Sequence, residues 1–413
     1  MTDIAKSFED TWKQLIENAL VKKGIAFLKE DASHTLEEQI ELTCIPAPSF
    51  LEEEKGRVYK SKLELLGLSQ IETDQHGNVF GIRYGTGNGP RIFVCAHLDT
   101  VFPESTAIQV KKKDGKVYAP GISDDGRGLA AVLSVARAFN ETNIQTSGDI
   151  IFGATVGEEG LGDLRGVKGL FQDRNDIDAF ISIEPGTPER IVYLATGSHR
   201  YHVTYKGSGG HSFGDFGIPS AVHALGRAIS KIADIETPTD PKTTFTVGTI
   251  TGGTSVNTIA EEASMMIDLR SNSQEELLKL EKNVMNLLEL AAKEENNRWN
   301  SDHTVIEVNI KLVGDRPAGT QNSEHAIVQA SLHAARMLGL NPELSFASST
   351  DSNVPISLGI PAVTLGGGGD CGGIHTLEEY FDPTDDYLGT QNLFLTILGL
   401  VGIKDETEAL LIK

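Results

Sequence analysis

Two kinds of apolar patterning divide this chain. In the first 70 residues, apolar positions such as Leu15, Leu20 and Ile25 recur among charged neighbours at helical spacing, and a second amphipathic stretch runs from Leu51 to Leu66. Strands follow: Val79 to Tyr84 and Arg91 to Leu98 are β-rich runs joined by a glycine-rich turn, Gly85 to Pro90. Ile150 to Val156, Ala179 to Ile183 and Ala362 to Leu365 are short and almost wholly apolar, the pattern of strands covered on both faces. Between them, Gly128 to Phe139 sets Leu129, Val132, Leu133 and Ala136 on one helical face. Strands alternating with helices predict an α/β fold.

Residues 196–311 have another texture. A strand around His202 to Lys206, a helix from Ala221 to Ile232, strands Thr244 to Thr251 and Ser264 to Arg270, a long helix Gln274 to Glu294 and a last strand Thr304 to Leu312 follow in that order. Strand, helix, two strands, helix, strand is the order of an open-faced, ferredoxin-like α+β sandwich. It is read as a domain inserted into one formed by residues 1–195 and 312–413.

Composition narrows the function. The 413 residues carry 36 Lys and Arg against 58 Asp and Glu, a net charge of −22, so neither nucleic acid nor an anionic membrane surface is expected as a partner. The longest apolar stretch, Leu393 to Ile403, falls short of the roughly 18 to 20 residues that a membrane-spanning helix needs. Cys44, Cys95 and Cys371 are odd in number and far apart, which points to a reducing, cytoplasmic setting rather than a disulfide framework. The charge-rich N-terminus has no apolar core of a signal peptide.

Candidate chemistry collects at the C-terminal ends of the apolar runs, where open α/β sheets bind their ligands. His97 and Asp99 follow the first run, Glu158 and Glu159 the second, Glu184 the third, and His375 comes soon after the fourth; Asp124 and Asp125 precede the Gly128 helix. Singly, His97 reads as a satisfied strand-end histidine and the aspartates as a helix cap. Together, two histidines and several carboxylates on one sheet edge form a zinc-type ligand set, because so many crowded acids need a cation. Asp99, two residues past His97, can orient the imidazole. Of the adjacent glutamates one can ligate while the other takes a proton from an activated water.

With these motifs the sequence resembles the dinuclear zinc exopeptidases and deacylases, which include carboxypeptidase G, peptidase T, acetylornithine deacetylase and succinyl-diaminopimelate desuccinylase. The resemblance rests on His97-Leu98-Asp99, Ser123-Asp124-Asp125, Glu158-Glu159, Glu184-Pro185, Gly209-Gly210-His211-Ser212, Gly252 to Asn257, Asp268-Leu269-Arg270 and His375. It implies a zinc-exopeptidase-type domain with a mixed central sheet, and an inserted lid and dimerisation domain. Asp124 would bridge two zinc ions, for which cobalt or manganese could substitute; His97 and Glu184 would complete one, Glu159 and His375 the other. Glu158 would be the general base and Asp99 the orienter of His97, with a cis peptide joining Asp124 to Asp125. His211 would donate to the oxyanion, Asn257 and Arg270 would hold the substrate, and the chain would form a homodimer. Arg270 reads equally well as a structural salt-bridge partner.

Two departures bear on the substrate. Arg127 stands where relatives commonly have Lys, a change expected to affect the helix start. Glu184 stands where the peptidases typically have Asp, which leans toward the deacylases, while Ser348 to Gly369 looks more like the peptidases. The expected function is a metallo-exopeptidase acting on short peptides; the alternatives are an N-acyl amino acid deacylase and an inactive metal-binding relative. Gly85 to Gly89 and Gly366 to Gly373 lack the spacing of phosphate loops and read as turns, and Cys371 as a spectator.

Overall fold

Ile92, Val94 and Ala96 of the strand Arg91–His97 enter one apolar core, while Phe93 and Cys95 enter a second. The strand Asp149–Thr155 divides likewise, with Ile150, Phe152 and Ala154 in the first core and Ile151 in the second. Side chains alternate across a strand, so a sheet with helices on both faces must be apolar at every position. In the computed structural model, which describes residues 3–87, 89–299 and 305–412, these strands lie at the centre of an eight-stranded mixed sheet. Its order is Ser69–Thr73, Val79–Arg83, Asp149–Thr155, Arg91–His97, Ala179–Glu184, Ala362–Gly366, Arg190–Val192, Glu343–Leu344. The four strands from Asp149–Thr155 to Ala362–Gly366 are parallel neighbours, so their C-terminal ends share one edge.

The helical reading of the N-terminus corresponds to four helices, Asp3–Glu17, Ala19–Glu30, Ala32–Thr43 and Glu53–Leu65. Asn18 caps the second through its side-chain oxygen, which accepts from Leu20 and Val21 N–H. Helix Gly126–Thr142 is buried along most of its length against the sheet. The apolar stretch near the C-terminus forms helix Tyr387–Val401, an interior element of the first core. Among the described residues no helix is long and apolar enough to cross a membrane.

A second, antiparallel sheet escaped the sequence reading. It orders Asp370–Gly372, Tyr380–Asp382, Lys116–Tyr118 and Lys111–Lys113. Strands of three residues are too short to show a period.

The chain divides into two compact units, Met1–Ala195 with Thr320–Lys413, and Thr196–Gly319. The second holds a four-stranded antiparallel sheet ordered Thr243–Gly252, Glu262–Ser271, Gly197–Lys206, Glu307–Arg316. Helices Ala221–Ala233 and Gln274–Trp299 cover one face, where Tyr201, Val203, Tyr205, Met265, Ile267 and Leu269 form the core. This is the ferredoxin-like order of strands and helices. The last strand keeps pairing until Arg316 lies opposite Ser198, so the insertion runs to Gly319, beyond the expected residue 311. Thr304, the expected start of that strand, and Asn88, in the expected turn, lie outside the described residues.

Candidate metal centre

Four strand ends and two loops of the first unit bring the acids and histidines together. His97 is the last residue of its strand, and its backbone N–H donates to Asp125 Oδ2 at 3.1 Å. Its Nε2 lies 2.9 Å from Asp124 Oδ1. The other oxygen of Asp124 lies 3.1 Å from His375 Nε2, which is also 2.9 Å from Glu159 Oε1. The Asp124 to Asp125 peptide is cis, as expected. One ligand atom each from His97, Asp124 and Glu159 falls within 4.8 Å of the others, close enough to hold one metal ion.

Electrostatics at this centre favour a bound cation. Glu184, at the end of the neighbouring strand, has its carboxyl pushed well above the usual range by burial and then by the charges of Glu158, Asp125 and Asp124, with His97 opposing. Burial likewise raises Asp125, aided by Asp124 and opposed by His97. His375 is raised to about 10 by its bonds to Asp124 and Glu159. Burial opposes the charge of His97, but the neighbouring aspartates outweigh it and hold the imidazole well above its ordinary value. The residues fit divalent ions: imidazole nitrogens and carboxylate oxygens converge where the acids can ionise together only if positive charge joins them.

Asp124 and Asp125 divide the two roles that the sequence left open. Asp124 turns to the histidines, and Asp125 caps helix Gly126–Thr142, its Oδ1 accepting from Gly128 N–H at 3.1 Å. Asp99 lies beside His97. His97 Nδ1 is 2.9 Å from the backbone carbonyl of Asp99 and 3.6 Å from its carboxylate, so both face the ring nitrogen. The carboxylate also accepts from Glu158 N–H at 2.9 Å, Glu159 N–H at 3.0 Å and the Ser49 hydroxyl at 2.6 Å, which clamps the turn carrying both glutamates. Burial works against its charge, yet His97, Ser49 and these amides hold Asp99 down at about 2. Ser49 also donates to the Glu159 carbonyl at 3.1 Å, a role the sequence reading did not give it.

Two other residues were missed or misread. Arg127, expected to act on the helix start, is buried against Asp386 at 2.9 Å and also donates to Gly367 O and Asp386 O. It thus ties the helix to the loop after Ala362–Gly366. Glu379, fully buried, accepts the N–H groups of Gly121, Ser123 and Asp124 at 3.0, 2.8 and 2.9 Å. Burial pushes its carboxyl up to about 7 against the pull of those amides. Cys371 is raised to about 11 by burial and nearby acids, which keeps it a thiol and suits a spectator.

The other three candidates lie in the inserted unit. His211 pairs with Thr258 in a two-residue ladder, and its Nδ1 accepts from Phe213 N–H at 3.2 Å and Gly214 N–H at 3.1 Å. An acceptor Nδ1 leaves the ring proton on Nε2, so the outer nitrogen is a donor. Asn257 sits on the adjoining loop, where its carbonyl accepts from Ser212 N–H at 3.0 Å and its Oδ1 from Ser255 Oγ at 2.7 Å. Arg270 Nε donates to Asp268 Oδ2 at 2.6 Å, and Arg200 Nε to the other oxygen at 3.1 Å, so Asp268 pairs with both arginines.

Known proteins are similar to this chain in sequence and fold. The model of "Peptidase family M20/M25/M40" matches residues 93–399. Protein YqjE of Bacillus subtilis strain 168 is 28% identical over 380 residues, 88% of this chain and 97% of the relative. The succinyl-diaminopimelate desuccinylase of Nitrosospira multiformis is 26% identical over 345 residues, 78% of this chain and 87% of that enzyme. The crystal structure of a tripeptidase from Staphylococcus aureus subsp. aureus mu50 superposes with a TM-score of 0.74 at 25% identity, covering 89% of this chain and 97% of the other.

Proposed function

The chain belongs to peptidase family M20/M25/M40, a family of hydrolases, and from that premise we propose that it is a metallo-exopeptidase that cleaves short peptides. The observation that carries this reading is the convergence of His97, Asp124, Glu159 and His375, with Glu158 held beside them by the Asp99 clamp. His97, Asp124 and Glu184 would hold one zinc ion, and Asp124, Glu159 and His375 a second. Bound there, two divalent ions supply Lewis acidity toward a peptide carbonyl and toward water.

The chain's own groups do the rest. Glu158, adjacent to the ligand Glu159 and fixed through its amide, takes the proton of the attacking water and returns it to the leaving amine. Asp99 and Ser49 keep the Glu158–Glu159 turn in place. His211 Nε2–H is the donor for the negative charge that develops on the carbonyl oxygen. Asn257 and Arg270 would bind polar ends of the substrate, and a homodimer formed through the inserted unit would complete the assembly. With three unpaired cysteines, the protein suits a reducing cytoplasm.

A second reading has its own support. The desuccinylase relatives and the glutamate at position 184 favour an N-acyl amino acid deacylase, which breaks an amide by the same chemistry. Metal analysis followed by assay of the zinc-loaded chain on di- and tripeptides beside N-acetyl and N-succinyl amino acids separates the two. The peptidase reading expects about two ions per chain and peptide cleavage. Rapid deacylation with no peptide cleaved would replace it, and absence of bound metal would favour an inactive relative. Light scattering gives the oligomeric state.

A further inference from the structure

His375 and Asp124 are 251 residues apart in sequence, yet the Nε2 of one lies 3.1 Å from the carboxylate of the other. Two loops must therefore keep a fixed distance from each other, and one buried carboxylate reaches from the His375 loop into the other. Glu379 follows His375 by four residues in a tightly closed loop. Thr376 N–H and Oγ1–H both donate to Gly373 O, at 3.0 and 2.6 Å, and Glu379 N–H donates to Thr376 O at 3.3 Å. From there its carboxylate reaches into the other loop: Oε1 accepts from Ser123 and Asp124 N–H, and Oε2 from Gly121 N–H. The main chains are zipped together alongside, with Ala119 N–H donating to Glu379 O at 3.1 Å and Ser123 Oγ donating to Tyr380 O at 3.0 Å. Strand pairing of Tyr380 with Tyr118 and of Phe381 with Val117 continues the zip.

The chemistry of this contact is specific to a carboxylate. Buried backbone N–H groups without acceptors are costly, and the turn from Gly121 to Asp124 points three of them inward. Two carboxylate oxygens offer enough lone pairs for all three. A glutamine of the same shape has one acceptor oxygen and an NH₂ group, which would set donor against donor. A further acid beside Asp124 is electrostatically unwelcome, so its presence is explained by what it holds. One of the three amides held is that of Asp124 itself, whose two carboxylate oxygens face His97 and His375 respectively.

We propose that Glu379 is a positioning residue for the metal centre, a clasp that sets the Asp124 and His375 loops at the separation needed for both to ligate. The inference rests on the reading of those two residues as ligands. Partners that orient metal ligands from behind typically change metal affinity by about 10–100-fold when removed, and Glu379 is expected to fall in that range.

The test uses the full chain, stripped of metal and titrated with zinc by calorimetry, together with the visible absorption spectrum of the cobalt-substituted protein. Wild type is expected to bind two ions. Glu379→Gln is expected to bind at least one of them about 10–100-fold more weakly and to show an altered cobalt spectrum, reporting displaced ligands. Glu379→Asp, which keeps the charge but is one carbon shorter, should lie between the two and serves if the glutamine variant does not fold. Zinc affinities within about twofold of wild type and an unchanged cobalt spectrum in a folded variant would overturn the proposal, even with a lowered melting temperature, because Glu379 would then only support the fold. A wild-type chain that takes up no metal would instead remove the ligand reading itself, and this inference with it.

Discussion

Replacing Arg127 by methionine probes the buried link between the helix Gly126–Thr142 and the loop beyond the strand Ala362–Gly366. Arg127 is 1% exposed and Asp386 2%, so neither charge has water to fall back on. The guanidinium donates from Nε to Gly367 O at 2.8 Å, from Nη1 to Asp386 Oδ2 at 2.9 Å and from Nη2 to Asp386 O at 2.7 Å. Methionine keeps much of the apolar stem but leaves two carbonyls without these donors, roughly 1 kcal/mol each, and strands a carboxylate. Breaking one side of a buried pair costs about 3–5 kcal/mol in all. That is a large part of the roughly 5–15 kcal/mol that holds a typical domain together.

The chain's two tryptophans suit the assay, since Trp12 is buried in the unit that contains Arg127 and Trp299 lies in the inserted unit. Two units need not unfold together, so urea unfolding should be followed by Trp12 emission in a Trp299→Phe background. Arg127→Met should lower the midpoint by an amount worth about 3–5 kcal/mol at constant slope. Burial already raises the Asp386 carboxyl against the pull of Arg127. Without Arg127 it rises further, so the loss should grow with pH above the usual carboxylate range. Replacing both residues, as Arg127→Met with Asp386→Leu, should recover most of the stability because no charge is left buried alone. A single variant losing less than about 1 kcal/mol, or a double variant no better than the single, would refute the reasoning.

The remaining expectations concern the centre itself. Glu158→Gln should lower turnover about 10²–10⁴-fold with metal content unchanged, and retention of activity would remove the general base assigned here. His211→Ala should cost about 10²–10³-fold in turnover, again with both ions retained; near-normal turnover would end its role as oxyanion donor. The metal-stripped chain should lose stability as pH rises. His375, raised to about 10, and His97, raised well above its ordinary value, stabilise the fold fully below the unfolded value near 6.5, and that contribution is lost as pH passes through their folded values. Ionisation of buried Glu184 and of Glu379, near 7, acts in the same direction, whereas Asp99, held at about 2, matters only in acid. Melting temperatures of stripped protein should therefore fall between about pH 6 and pH 9 and fall less when zinc is present; a flat profile in the stripped chain would contradict the ion pairs described.

What the sequence determined by itself is the layout. Apolar runs at Ile92 to Ala96, Ile150 to Ala154 and Ala179 to Ile183 carry the pattern of strands covered on both faces, and their C-terminal ends located His97, Glu158, Glu159 and Glu184. The order of strands and helices likewise marked the insertion, although its far boundary depended on a strand whose pairing continues to Arg316. Periodicity reports which face of an element is buried, and it is silent about partners far away in the chain. Composition and periodicity could not separate Asp124, which meets His97 and His375, from Asp125, which caps a helix. The same holds for Asp99 clamping the glutamate turn, Arg127 closing on Asp386 and Glu379 holding the loop of Asp124. Each of these is a polar side chain whose role is fixed by hydrogen bonds made across the fold, and no local pattern of apolar and polar residues encodes them.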